Sequence, residues 1–132
     1  MKERIRKLDG RGNANGRPLR LVVAALILRE SGGGTEVLVC QRRPDQPMSL
    51  KWEFPGGKIE LGETAEQALA RELDEELGIA AIIGNRVAQV RGEIDNRIFH
   101  EVRWAPLAAL PSLDFLAADF GLIRDLSEGK LL

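Results

Sequence analysis

GKIELGETAEQALARELDEELGI, residues 57–79, sets a glycine-rich loop directly before a helix whose far end is crowded with acid. Thr64 followed three residues later by Gln67 is a capping-box pattern, so the spacing predicts a helix starting at Thr64 or Ala65. Gly78 stands where a left-handed residue closes a helix. Leu69, Leu73 and Leu77 recur every four residues and form a narrow apolar stripe. Glu72, Glu75 and Glu76 fall at i, i+3 and i+4, so three carboxylates share one face. Like charges at that spacing destabilise a helix unless something cationic offsets them. Arg71 reaches Glu75 at i+4, yet one guanidinium does not neutralise the cluster. A hard divalent cation does, because Mg²⁺ or Mn²⁺ takes carboxylate and carbonyl oxygens and keeps waters for substrate phosphates. Glycine at 57 lets backbone approach metal or phosphate with no Cβ in the way, and Lys58 lies beside it as a candidate phosphate contact.

The offsets from Gly57 to Glu63, and from Glu63 to the block Arg71-Glu72-Leu73-Asp74-Glu75-Glu76-Leu77-Gly78-Ile79, resemble the signature of the Nudix hydrolases, which cleave nucleoside diphosphates linked to another group. The run Trp52-Glu53-Phe54-Pro55-Gly56-Gly57-Lys58-Ile59-Glu60 is similar to the MutT-like branch, the nucleotide-pool sanitising enzymes. A plain acidic, solvated helix face is the other meaning of a Glu-rich helix, and the matching offsets of Gly57, Glu63, Arg71 and Gly78 weigh against it. The resemblance implies a Nudix-type α/β/α sandwich with a mixed sheet. It also implies that the Gly57 carbonyl joins Glu72, Glu75 and Glu76 around Mg²⁺ (or Mn²⁺), that Arg71 orients the glutamates, and that Glu63 supports the loop or an outer metal position. Gln41-Arg42-Arg43 resembles the Arg-bearing strand end that approaches substrate phosphates in this branch; two exposed arginines before a loop is the competing reading. Asp119 falls where these enzymes place an Asn or Asp that reads the base edge, where a carboxyl accepts, or donates when protonated.

Two departures stand out. Between Ile79 and Trp104 the chain is shorter than the branch pattern by about one to two strands of ordinary length. The segment that is missing normally lines the nucleoside pocket, so the expectation is an opener pocket, or a homodimer in which a partner supplies the edge. The place of a further loop glutamate is taken by Ile98, leaving Glu93, Asp95 or Glu101 as substitutes.

Outward from this region, 132 residues suit one domain with a real core. A net charge of −1 gives no electrostatic case for binding nucleic-acid polymers. The single cysteine, Cys40, sits in an apolar run and reads as a core residue in a reducing cytoplasm. The lone His100 reads as structural or surface. The apolar run Leu21 to Leu28 is too short to span a bilayer and lacks a cleavage pattern, so it reads as a buried strand. Residues 1–17, charged and rich in Gly and Asn, read as a flexible lead-in to a single domain over 18–132. Strands are expected at 19–29, 36–42, 52–54, 86–91 and 98–104, and helices at 106–110 and 117–126. A mixed sheet covered by helices is the simplest packing of these elements.

The activity implied is metal-dependent hydrolysis of a nucleoside triphosphate, 8-oxo-dGTP-like by branch resemblance, to the monophosphate and pyrophosphate. A CTP-type or other linked diphosphate is the nearest alternative, and a nucleotide-binding module with impaired catalysis is the alternative of another class.

Overall fold

The computed structural model describes residues 4–11, 21–83 and 88–130. Its scaffold is a hairpin of β2 (Leu21–Ser31) and β3 (Gly34–Gln41), preceded by β1 (Arg4–Arg11). β2 and β3 pair only near the turn, from Leu28 opposite Val37 to Ser31 opposite Gly34, and then part. The segment Trp52–Lys58 fills the gap between them. β4 (Trp52–Glu53) pairs with Cys40 and Gln41 of β3, while β5 (Gly56–Lys58) pairs with Val22 to Ala24 of β2. The Ala25 amide donates to the Pro55 carbonyl at 2.8 Å and joins the two short ladders. The predicted hairpin is present with its strands displaced by one or two residues, and Gly34, at φ 120°, closes its turn.

Between β5 and the later strands lies α1 (Ala65–Leu77), with both expected caps. Thr64 Oγ1 accepts from the Gln67 amide at 3.1 Å, and Gln67 Oε1 accepts from the Thr64 amide at 2.9 Å. Gly78 adopts φ 62° and donates its amide to the Asp74 carbonyl. Leu69, Leu73 and Leu77 are fully buried with Val23, Ala25, Ile27, Leu38 and Cys40, so the stripe docks α1 on one sheet face. The opposite face buries Leu26, Leu28, Val37, Val39, Trp52 and Phe54 against Leu110, Phe115, Ile123 and Leu126. Alternation along β2 and β3 thus supplies two cores, giving the expected α/β/α layering.

After α1, β6 (Ala80–Ile83) and β7 (Ala88–Arg91) form a separate two-stranded sheet. Only the second of these was expected from sequence, and residues 86–87 of that expected strand lie outside the described residues. β8 (Glu101–Pro106) then pairs with β3 along Glu36–Gln41. The ladders between named strands are antiparallel, and the parallel contribution is the isolated bridge between Trp52 and Phe115. The helix expected at 106–110 is a 3₁₀ turn, Leu107–Ser112, while the one expected at 117–126 is present but opens with a 3₁₀ turn at Ala117–Asp119. Pro111, which lacks an amide, falls inside the first of them. The helix proper, α2, spans Phe120–Ser127.

One expectation is corrected at the N-terminal side. Arg4–Arg11 is a strand paired with β2 from Leu28 to Leu21, not part of a flexible lead-in; residues 1–3 and 12–17 of that lead-in lie outside the described residues. Its Lys- and Arg-rich composition hid it, yet such composition is what edge strands tolerate. The β2 edge is therefore covered by the chain itself. No described helix is long and apolar enough to cross a membrane.

The short connection after β7 has a definite task. Its Asp95 amide donates to the Leu77 carbonyl at 2.8 Å, its Arg97 amide to the Glu76 carbonyl at 3.0 Å, and Arg97 Nη1 to the Asp74 carbonyl at 3.1 Å. The carbonyls that a helix C-terminus leaves open are satisfied from this loop.

Candidate active site

Gly57 and the end of α1 meet because β5 is wedged against β2 beneath the helix. A Cβ on Gly57 would lie 2.5 Å from Glu72 Cδ, so that carboxyl rests directly on the glycine backbone. A Cβ on Gly56 would fall 2.1 Å from the Val23 carbonyl oxygen. One glycine is needed for sheet packing, the next for carboxyl approach.

Glu76 is the only charged residue among the buried ones described, at 5% exposure. Its Oε1 accepts from the Gly56 amide at 3.2 Å. Burial, then the charge and hydrogen bond of Glu72, push its carboxyl up to about 9. Glu75 is more than half exposed and turns to Arg71 Nη1 at 3.4 Å. Arg71 is the hub: it forks onto Glu63 with Nε to Oε2 at 2.8 Å and Nη2 to Oε1 at 2.9 Å. The same guanidinium donates to Glu72 Oε1 at 3.0 Å and to the Lys58 carbonyl at 3.1 Å. Glu63 also accepts from the Glu60 amide, and its fork with Arg71 holds the carboxyl down at about 2. The loop is thereby tied to the helix through one charge-assisted, two-pronged contact.

Among the described residues, no group of three or more His, Cys, Asp or Glu side chains is arranged to hold a metal ion. Arg71 draws Glu75 and one oxygen of Glu72, and Glu76 faces Gly56. The donor chemistry nevertheless fits a hard divalent cation: Glu72 and the buried Glu76 bring carboxyl oxygens beside a bare glycine backbone, and positive charge there would offset the burial and like charge that push Glu76 up.

The substrate-side residues divide. Lys58 is exposed beside the loop. Arg43 is exposed and pairs with Asp45 at 3.2 Å. Arg42 is held, donating from Nε to the Pro47 carbonyl at 2.8 Å and from Nη1 to Glu53 Oε2 at 2.9 Å. Asp119 is half-buried at the start of α2, and burial with the charge of Glu53 raises its carboxyl to about 6. Glu53 is the residue the sequence reading missed. It ion-pairs with Arg42, and its charge helps to raise the Asp119 and Glu76 carboxyls and the Cys40 thiol. The available signal was strand alternation: Trp52 enters the α2-side core, so Glu53 must face the other way.

The loop substitutes for the Ile98 position are engaged elsewhere or exposed. Asp95 pairs with Arg97, Glu101 pairs with Arg103, and Glu93 and Ile98 are exposed. Cys40 is buried, with its thiol pushed up by burial and by Glu76 and Glu53, and His100 is exposed.

The sequence profile of the NUDIX domain matches residues 18–126. The chain belongs to the Nudix family. Relatives place this hydrolase in the MutT-like branch: it is 45% identical over 83 residues to the CTP pyrophosphohydrolase of Escherichia coli, a match covering 63% of this chain and 58% of that protein. It is 36% identical over 128 residues to a Mycobacterium tuberculosis protein provisionally named 8-oxo-dGTP diphosphatase 2, covering 82% and 88% of the two. Its fold is similar to a MutT structure from work on Aliivibrio salmonicida and Vibrio cholerae, with a TM-score of 0.59 at 28% identity over 71% of this Nudix chain and 86% of that one. The solution structure of the E. coli ORF135 protein gives 0.61 at 26%, over 77% and 85%.

Proposed function

We propose that this Nudix hydrolase converts a (deoxy)nucleoside triphosphate to the monophosphate and pyrophosphate with a divalent cation, Mg²⁺ or Mn²⁺, and that an 8-oxo-dGTP-like purine is its first substrate. The observation that carries the reading is the Glu72 carboxyl resting on the Gly57 backbone, with the buried Glu76 on the neighbouring Gly56 amide. Glu72, Glu76 and the Gly57 carbonyl would hold the cation, with Glu75 joining from the exposed side of the helix. When bound, it neutralises phosphate oxygens and lowers the pKa of an attacking water.

The chain's own residues do the rest. Arg71, clamped by Glu63, fixes the Glu72 oxygen that faces it. One of the helix carboxylates takes the proton of the attacking water, and the displacement needs alignment more than covalent help. Lys58 and Arg43 offer exposed cations to the phosphates, while Arg42 holds Glu53 in place. Asp119, its carboxyl raised to about 6, can donate to a base acceptor below that pH and accept from an N–H above it. A CTP-type substrate is the second reading, favoured by the identity to the E. coli CTP pyrophosphohydrolase.

The test is release of pyrophosphate and phosphate from canonical and oxidised nucleotides, with and without Mg²⁺, beside a Glu75→Gln/Glu76→Gln control. Metal-dependent pyrophosphate release that the control lacks is expected. Silence across the panel from folded protein would overturn it.

A further inference from the structure

We propose that β1 is a positioning strand of the active site: by pairing with β2 it holds in register the β5 strand that carries Gly56 and Gly57. The inference rests on the hydrolase reading above. The register is direct. Leu8, Asp9 and Gly10 stand opposite Ala24, Val23 and Val22, and those same three β2 residues stand opposite Gly56, Gly57 and Lys58 on their other edge. Neighbouring strands lie about 4.8 Å apart, so β1 is about two spacings, or about 10 Å, from the site backbone.

β2 needs that second neighbour. It buries Val23, Ala25 and Ile27 on one face and Leu26 and Leu28 on the other, which is the pattern of an interior strand. Along Leu21–Leu28, β1 supplies the ladder on the edge away from β5. Above Leu28 the turn and β3 stiffen β2; below it, β3 has diverged and β5 is three residues long. The Gly56 contact leaves no slack between β5 and Val23, so a shift of β2 moves the glycine backbone with it. β1 also abuts α1, the helix that bears Glu72 and Glu76. It therefore touches both elements that carry the site, α1 directly and β5 through β2. β1 gives the sheet an outer strand beside β2 that the connection between Ile79 and Trp104 does not supply.

The test uses the full chain with Leu8→Pro and Asp9→Pro together. Successive residues of an antiparallel strand present their amides to opposite sides, so this pair removes whichever amide faces β2. Amide exchange is then followed at Gly56–Lys58 and at Val37–Val39, with kcat and KM in parallel. Faster exchange at Gly56–Lys58 with Val37–Val39 still protected is expected. With it, kcat should fall about 100-fold at little change in KM, the effect of a misplacement of about 1 Å. A second variant lacking residues 1–11 should regain kcat when the peptide RIRKLDGR is added and not when a scrambled peptide is.

Unchanged exchange at Gly56–Lys58 and unchanged kcat would overturn the proposal. So would equal loss of protection at Val37–Val39, because β1 would then support the whole fold rather than the site. Exchange is read without turnover, so an absence of nucleotide hydrolysis in the unaltered protein would refute the hydrolase substrate reading and leave the positioning result standing.

Discussion

Two adjacent glycines should fail in different ways when each becomes alanine. In Gly57→Ala the new Cβ stands 2.5 Å from Glu72 Cδ, where a comfortable carbon contact is about 3.5–4.0 Å. The obstacle is the end of a flexible side chain, so Glu72 can withdraw by about 1 Å without disturbing the sheet. Stability should change by less than about 1 kcal/mol, since alanine also restricts the unfolded chain. The rate should fall about 100-fold, because a displacement of that size at a reacting centre costs about that much. In Gly56→Ala the Cβ meets the Val23 carbonyl oxygen at 2.1 Å and Ala24 Cα at 2.6 Å, both backbone. β5 must part from β2, at a cost of about 3 kcal/mol. For a chain of this size that is a fall in Tm of about 10 °C. Thermal melts and pyrophosphate release on both variants separate the effects. Wild-type kcat in Gly57→Ala, or equal destabilisation of the two, would refute the assignment of separate duties.

Glu76→Gln in metal-free buffer at neutral pH should raise Tm. The raised carboxyl contributes stability that is whole below its ordinary pKa of 4.5 and is lost as pH climbs through about 9. The amide avoids that loss and can still accept from the Gly56 amide, but it should abolish the Tm increase expected of the unaltered protein on adding Mg²⁺; a retained increase would remove Glu76 from the proposed metal site. Asp119→Asn should leave Tm unchanged near pH 3.5 and raise it relative to the unaltered protein above pH 6. The sign follows from a carboxyl raised from 3.8 to about 6, whose contribution fades as pH rises through the upper value. Melts from pH 3.5 to 8 check this, and parallel curves would show that Asp119 is not buried beside Glu53.

What the sequence disclosed was local chemistry. Thr64, Gln67 and Gly78 are cap residues whose partners lie within four positions, so α1 was legible to the residue. The β2–β3 hairpin was legible because apolar runs flank a glycine turn. β1 was not, because its identity depends on the β2 edge it covers rather than on its own composition. Ala80–Ile83 was too short to announce a strand beside the glycine that ends α1. Within the site, the Arg71–Glu75 contact followed from helical spacing, whereas the fork onto Glu63 spans a loop and required the fold. Glu53 escaped notice because strand alternation sets which way it faces but not what it meets there, and its partner Arg42 is brought to it only by the fold.

The burial of Cys40 has a chemical consequence. A thiol reacts with peroxide as its thiolate, and here access and ionisation are both denied: the residue is 0% exposed, and its thiol is held protonated. Oxidants that damage free nucleotides would meet a protein whose sole cysteine is inert. Among the described residues, Met48, 65% exposed in the loop beyond Arg43, is the sulfur open to them. Its sulfoxide would add polarity to a surface already in water, leaving both cores chemically untouched.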